Sequence, residues 1–254
     1  MKKDRSIGLQ QELEYFRNKM LDSISQWKQT MNYEPLKITF YLSSPISLNF
    51  PWMFFDSLVG WVLFVKALGQ DYYLLPRLLP LSGMLSRIKF PPHPIKRQGD
   101  LFHSSASVLD AERTAIERMY KKFEDRWAGG RKKVSKGSGY FKDYMIQHIY
   151  IPASKVEFYV NADGEEMERI CHVVQGLGDN SRIGWGAIKD FRIESVMEDW
   201  SIVKNDVAMR PIPVEMLEYA SEQFPMSWKP PYWDRDNVAM CAPPGASVRV
   251  KAGS

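Results

Sequence analysis

Gly176-Leu177-Gly178-Asp179-Asn180-Ser181-Arg182-Ile183-Gly184-Trp185-Gly186 sets four glycines in eleven residues beside one cation, Arg182, and one aromatic ring, Trp185. Upstream, Glu165 to Val174 reads as a helix; downstream, Ala187 to Val196 alternates like a strand. The segment therefore joins a helix to a strand. A dinucleotide fingerprint needs the reverse order, and its third glycine is here Ser181. No Gly-Lys-Ser/Thr follows, so the segment is not a P-loop either. What remains is a loop whose glycines admit positive φ and let another backbone or a polyanion approach main-chain N–H groups.

Working outward, Leu36 to Leu42 alternates Lys37, Thr39 and Tyr41 against Ile38, Phe40 and Leu42, the pattern of a strand with one buried face. Pro45 and Pro51 stop it, and Pro51 lies near the start of an apolar helix ending about Leu68. Asp56 in that helix is either a catalytic acid or, more in keeping with carboxylates in such helices, a hydrogen-bonding partner of a neighbouring loop. Met84 to Phe90 reads as a short strand, and Asp110 to Trp127 as a helix with Ile116, Met119, Tyr120, Phe123 and Trp127 on one face. Tyr144 to Ile151 and Lys155 to Val160 read as strands, paired as a hairpin about Pro152. Asp163 is placed to cap the next helix, which carries Met167, Ile170, Cys171 and Val174. The order is strand, helix, strand, insertion, strand, helix, glycine loop, strand. It predicts an α+β, ferredoxin-like (RRM-like) βαββαβ core with a long insertion between its second and third strands.

Residues 36 to 197 resemble the RAMP superfamily of CRISPR-associated proteins. Its members carry a loop of the form G-x-G-x-x-x-x-x-G-x-G between the last helix and last strand of a ferredoxin-like domain, matched here by Gly176, Gly178, Gly184 and Gly186, with Arg182 where a basic residue is frequent. The strand ending in Ser43-Ser-Pro-Ile46 and the helix with Phe55-Asp56-Ser57-Leu58-Val59 resemble the first strand and the Leu-Asp-Gly-Leu-Leu helix of the superfamily, departing at Phe55 and Ser57. Pro230-Pro-Tyr-Trp233 and Cys241-Ala-Pro-Pro-Gly245 add a likeness to the Cas-five-type subunit of type IV effector complexes. The resemblance implies a subunit that holds the 5′ handle of the guide CRISPR RNA. It also implies Cas-seven-type backbone subunits and a large subunit as partners, and a part in positioning target double-stranded DNA.

The domain plan that follows is an N-terminal helical extension over 1–35, a ferredoxin-like RAMP domain over 36–197 with its insertion at about 91–143, and a C-terminal extension over 198–254. In the first part, Leu9, Leu13, Phe16, Met20, Ile24, Trp27 and Met31 make an amphipathic helix, which packs on the body or forms a partner-binding arm. In the last, Val214 to Phe224 reads as a short helix followed by proline-rich chain.

The 34 basic and 30 acidic side chains give a net charge of +4, so the location of charge matters more than its sum. The strongest run is Arg131, Lys132, Lys133, Lys136 and Lys142, interleaved with glycines and reaching Tyr140-Phe141. Cations on a glycine-rich loop suit phosphate tracking, with aromatics stacking on unpaired bases; a solvated loop is the plainer alternative. Lys96 and Arg97 add charge to a second polar loop. Trp185 either stacks on RNA or turns inward as a packing anchor.

Two cysteines, Cys171 and Cys241, fall short of a disulfide framework and have no zinc spacing, and no apolar leader follows Lys2-Lys3. The apolar run Phe50 to Leu68 is broken by Pro51, Asp56 and Lys66, so no membrane segment is expected, and the expected location is cytoplasmic. Among His93, His103, His148 and His172 no metal spacing occurs, and no cofactor is expected. His103, near Lys96, Arg97 and Ser104, is the one candidate for metal-independent RNA cleavage through the 2′-hydroxyl. That chemistry needs both a base and an acid at one phosphate, and no second group stands at a diagnostic spacing. The expectation is a non-catalytic RNA-binding subunit. Its alternatives are a guide-processing endoribonuclease and a protein-interaction scaffold with little RNA contact.

Overall fold

A computed structural model describes residues 11, 14–23, 28, 30–74, 93–111, 113–122, 137–139 and 142–251. Its centre is β1 (Tyr33–Leu42), whose alternation sends Leu36, Ile38 and Phe40 into the core and Lys37 to the opposite face. On one side β1 pairs with β5 (Lys155–Asp163), on the other with β6 (Ile188–Ser195), and β5 also pairs with the two-residue β2 (Val108–Leu109). The sheet order is β2–β5–β1–β6, every neighbour antiparallel.

Two helices cover the core face. α2 (Phe55–Leu68) follows β1, and the shorter α3 (Gly164–Cys171) connects β5 towards β6. Phe40 lies at the middle of the packing, its ring 6.1 Å from Phe158 in edge geometry and 6.4 Å from Phe55. Val59, Val62, Val160, Met167 and Ile170 complete the layer, each large apolar side chain contributing about 1.5–3 kcal/mol by leaving water. Asp163 caps α3 by accepting from Glu166 N at 3.2 Å, and it also accepts from Lys28 and Asn32. Burial alone would raise its pKa; these bonds outweigh burial and hold it below the ordinary carboxylate value.

Residues 14–23 form α1, whose Phe16 and Met20 pack on Ala67 and Leu68 at the end of α2. Beyond β6 the chain builds a second, smaller core from Ala208, Ile212, Leu217, Ala242, Ala246 and Val248. Its strands are β7 (Ile212–Pro213), β8 (Leu217–Ala220), β9 (Phe224–Ser227), β10 (Val238–Ala242) and β11 (Val248–Val250). β7, β10 and β9 make one small sheet, and β8 pairs with β11.

Several local expectations are corrected. The stretch read as a helix from Asp110 contains a strand, β3 (Ala115–Lys121), antiparallel to β4 (Tyr144–Tyr150). Ile116, Met119 and Tyr120 do share helical spacing, but all three are exposed, and backbone pairing with a distant β-branched and aromatic segment prevails. For the same reason β4 does not form a hairpin with β5 about Pro152 but pairs back to β3. The expected helix Val214 to Phe224 is a single 3₁₀ turn at Val214–Met216, because Leu217 onward pairs with β11 and Phe224 onward with β10. The expected strand Met84 to Phe90 lies outside the described residues. The strand observed beside β5 is Val108–Leu109. Among the described residues no helix is long and apolar enough to cross a membrane.

One histidine makes a pH prediction. His93 packs its ring 4.7 Å from Phe102 and accepts from Ile95 N at 3.1 Å through Nδ1. Burial, aided by the Arg97 cation, pushes its pKa down to about 3 from 6.5. Between those values the unfolded chain binds the extra proton, so stability falls as pH drops below about 6.5, by at most about 1.4 kcal/mol per pH unit. Melting curves at pH 5 and 7 should show this, and His93→Asn, which retains an acceptor without titrating in that range, should flatten the dependence. Equal slopes would remove His93 as its source.

Candidate nucleic-acid interface

Past α3, Leu177 plugs into the core at 1% exposure and the glycine loop folds onto the chain that leaves β1. Leu177 N donates to Gly186 O at 2.9 Å, Gly186 N to Pro45 O at 2.7 Å and Asp179 N to Ser47 O at 2.7 Å. A Cβ on Gly186, whose φ is +59°, would lie 2.0 Å from Leu177 O; one on Gly178, φ +76°, would lie 2.5 Å from Ser47 O. The close backbone approach that these glycines permit is thus to the protein's own chain. The expectation that this stretch of loop offers its N–H groups to phosphate is corrected at Leu177, Asp179 and Gly186. Gly184 differs: its φ is +101° and the space beside it is open. Just before it, the 3₁₀ turn Ser181–Ile183 presents Arg182 to solvent.

Trp185 turns towards the β3–β4 ribbon, its ring 5.0 Å from Tyr150 and 6.2 Å from His148. The ring is half-buried in this contact. The contact seats the glycine loop against the root of the ribbon. Along the ribbon Arg118, Lys122 and Lys142 are exposed, Lys121 lies over the Tyr144 ring at 5.7 Å, and Tyr120 is 68% exposed. Alternation puts exposed Glu117 and Lys121 on the face that carries His148 and Tyr150, and Arg118 and Tyr120 on the other, so the ribbon as a whole carries an excess of cations. Arg131, Lys132, Lys133, Lys136 and Tyr140 lie outside the described residues; in sequence they connect β3 to β4.

Lys96 and Arg97 are not brought to this place. Lys96 N bonds Asn161 O, near the end of β5, whereas the glycine loop adjoins the other end of the sheet, where Tyr41 faces Lys155. Six residues of strand separate the two, about 20 Å. Arg97 is occupied locally, donating to Gly99 O at 3.1 Å and lying 5.1 Å over the Phe102 ring.

His103 is buried. Its Nδ1 is 2.8 Å from Asp199 Oδ2, which also accepts from Asn161 Nδ2 at 2.7 Å, while Ser201 donates to the other carboxylate oxygen. Burial opposes ionisation of Asp199, but these donors prevail and hold its pKa far below the ordinary value. His103 Nε2 is enclosed and has no hydrogen-bond partner among the described residues. Asp199 is the second group that sequence spacing did not reveal, since 96 residues separate it from His103. Among the described residues, no three His, Cys, Asp or Glu side chains stand close enough to hold a metal ion.

Also unforeseen is a groove of about 920 Å³ between the start of α2, the glycine loop and the C-terminal lobe. Tyr232 and Trp233, from the Pro-Pro-Tyr-Trp segment noted in the sequence, line it together with Trp61 and Phe224. Beneath them Asp56 meets Arg210, both side chains at most 1% exposed. Asp56 is thereby a structural partner and not a free acid.

The model of a family described as Csf3, CRISPR type IV associated protein, matches residues 102–244, more than half of the chain. Among curated proteins none matches. A solved chain titled "Cryo-EM structure of the Type III-B Cmr-beta bound to cognate target RNA" is similar at 11% identity and a TM-score of 0.36, covering 69% of this chain. The present chain spans 65% of the length of that one.

Proposed function

The chain belongs to the Csf3 family of CRISPR type IV associated proteins, and on that premise we propose that it is a non-catalytic, cytoplasmic RNA-binding subunit of a type IV effector complex. In this reading the four-stranded sheet with its two helices is a ferredoxin-like unit, and the glycine-loop face holds the 5′ handle of the guide RNA. Cas-seven-type backbone subunits and a large subunit are its neighbours, and target double-stranded DNA is met within the assembly.

The observation that carries the proposal is the seating of Trp185 on Tyr150. It sets exposed Arg182 beside a ribbon that bears Arg118, Lys122 and Lys142 and leads into the Arg131 to Lys136 run. Cations on two adjoining elements, with Tyr120 exposed among them, are the means by which single-stranded RNA is held without cleavage. The enclosure of His103 Nε2 supports the same reading, because a general acid or base must come within hydrogen-bond reach of the 2′-hydroxyl or the leaving oxygen.

The test incubates the purified chain with labelled repeat RNA and mature guide RNA, with and without EDTA, scoring retention and cleavage together. Retention with both RNAs intact is the expected result. Changing Lys132, Lys133 and Lys136 together to alanine should weaken binding and lower the salt slope by about 2, from roughly 0.7 per phosphate contact on a single strand. Metal-independent cleavage lost in His103→Ala would replace the proposal with the endoribonuclease. Neither retention nor cleavage would leave the scaffold.

A further inference from the structure

The groove between α2 and the C-terminal lobe has the wrong chemistry for a phosphate and the right one for a base. We propose that it takes unpaired nucleobases of the bound RNA, a site that rests on the RNA-binding reading above and extends it to a second surface. Its volume of about 920 Å³ falls in the range of about 300–1,000 Å³ typical of ligand pockets. One wall presents Phe50 and Trp61, 50% and 38% exposed; the other presents Phe224 and Trp233, 52% and 62% exposed. Rings, more than aliphatic chains, make up the exposed apolar surface of these walls, and a ring face is what a base stacks on.

The site is built and not merely bare. Phe54 and Tyr232 stack at 4.1 Å and 17°, and the Tyr232 hydroxyl donates to buried Asp56, so this pair is anchored to the body of the protein. Among the described residues no lysine or arginine lines the groove, and the one carboxylate that does, Asp179, is engaged by Asn49 N at 2.6 Å. A neutral base fits that lining, whereas a backbone phosphate does not. A cation follows directly on the lining: Gly176, Gly178 and Ser181 of the glycine loop line part of the groove, and the next residue after Ser181 is the exposed Arg182. Bases inside and phosphates outside, near Arg182, match this distribution of charge.

The experiment compares the wild-type chain with a Phe224→Ala, Trp233→Ala double variant, both substitutions lying at exposed positions, with melting curves to verify folding. The probes are a 12-residue oligouridylate and an abasic ribose-phosphate strand of the same length, read by tryptophan fluorescence and by direct binding. The expected result is quenching and tighter binding of the base-bearing strand by the wild type, at least about tenfold loss in the variant, and equal binding of the abasic strand by both. If wild type and variant bind oligouridylate equally, the groove is not a base site, while the RNA-binding reading stands. Absence of RNA binding by the wild type would overturn both. A folded variant with unchanged RNA affinity that fails to assemble with the backbone subunits would assign the groove to an apolar segment of a protein partner instead.

Discussion

Arg210→Met is expected to destabilise the protein by about 3–5 kcal/mol, the cost of leaving a buried charge without its partner. The Arg210 guanidinium is fully buried and links three parts of the chain. It donates to the carbonyls of Phe102 and Ser104, to Asp56 on α2 at 3.2 Å, and to Trp228 O and the Tyr232 hydroxyl in the C-terminal lobe at 2.8 and 3.0 Å. Removing it leaves the buried Asp56 charge without its cation, although the Tyr232 hydroxyl and Ser57 N still donate to it, and takes one donor from each of three carbonyls. Tyr232→Phe removes one hydroxyl from the same cluster, bonded to Asp56 and Arg210, and should cost about 1.5–3 kcal/mol. Urea unfolding followed by far-ultraviolet circular dichroism and by tryptophan fluorescence is the measurement. In Arg210→Met the two transitions should separate as the lobe loosens before the sheet. A loss below about 1 kcal/mol with coincident transitions would show that the lobe is held by its apolar contacts alone.

Gly186→Ala is expected to cost on the order of 3 kcal/mol or more, combining left-handed strain with a collision that no side chain can relieve. The atom it would strike, at 2.0 Å, is the carbonyl oxygen of Leu177, the residue whose N–H donates to Gly186 O and so closes the loop. Leu177 would then leave the core, and Trp185 would lose its seat on Tyr150. Gly184→Ala is the control, because its φ of +101° carries strain of about 1–2 kcal/mol and nothing stands in the way. Thermal melts should therefore rank Gly186→Ala well below Gly184→Ala. Similar melting temperatures would mean that the loop rearranges freely and that its glycines are present for a ligand. RNA retention by folded Gly184→Ala then reports separately on the open turn that presents Arg182.

Much of the framework could be read locally. Alternation placed β1 because it buries one face of a sheet, and a period of 2 survives in sequence wherever water lies on one side only; β5, buried on both faces from Phe158 onward, was legible instead from its β-branched and aromatic residues. The glycine loop was legible for a similar reason: positive φ and close backbone approach admit few other residues. The cap of α3 by Asp163 involves neighbours three residues apart and was equally visible.

The ribbon was not. Ile116, Met119 and Tyr120 fit a helix as well as a strand, and the choice was made by β4, whose nearest residue is 23 positions away from the end of β3. The candidate sites divide along the same line. Arg182, Trp185 and the basic run declare themselves by composition, so sequence alone determined that the chain carries a glycine loop and a cationic insertion within an α+β frame. Only tertiary structure decided that Trp185 seats the loop on the ribbon and that Lys96 and Arg97 stand at the far end of the sheet. It decided too that His103 faces Asp199 inside the protein, and that an aromatic groove opens between α2 and the C-terminal lobe. The physical reason is range: backbone conformation is dictated by near neighbours, whereas burial, pairing and the shape of a groove are set by residues that meet only after the chain has folded.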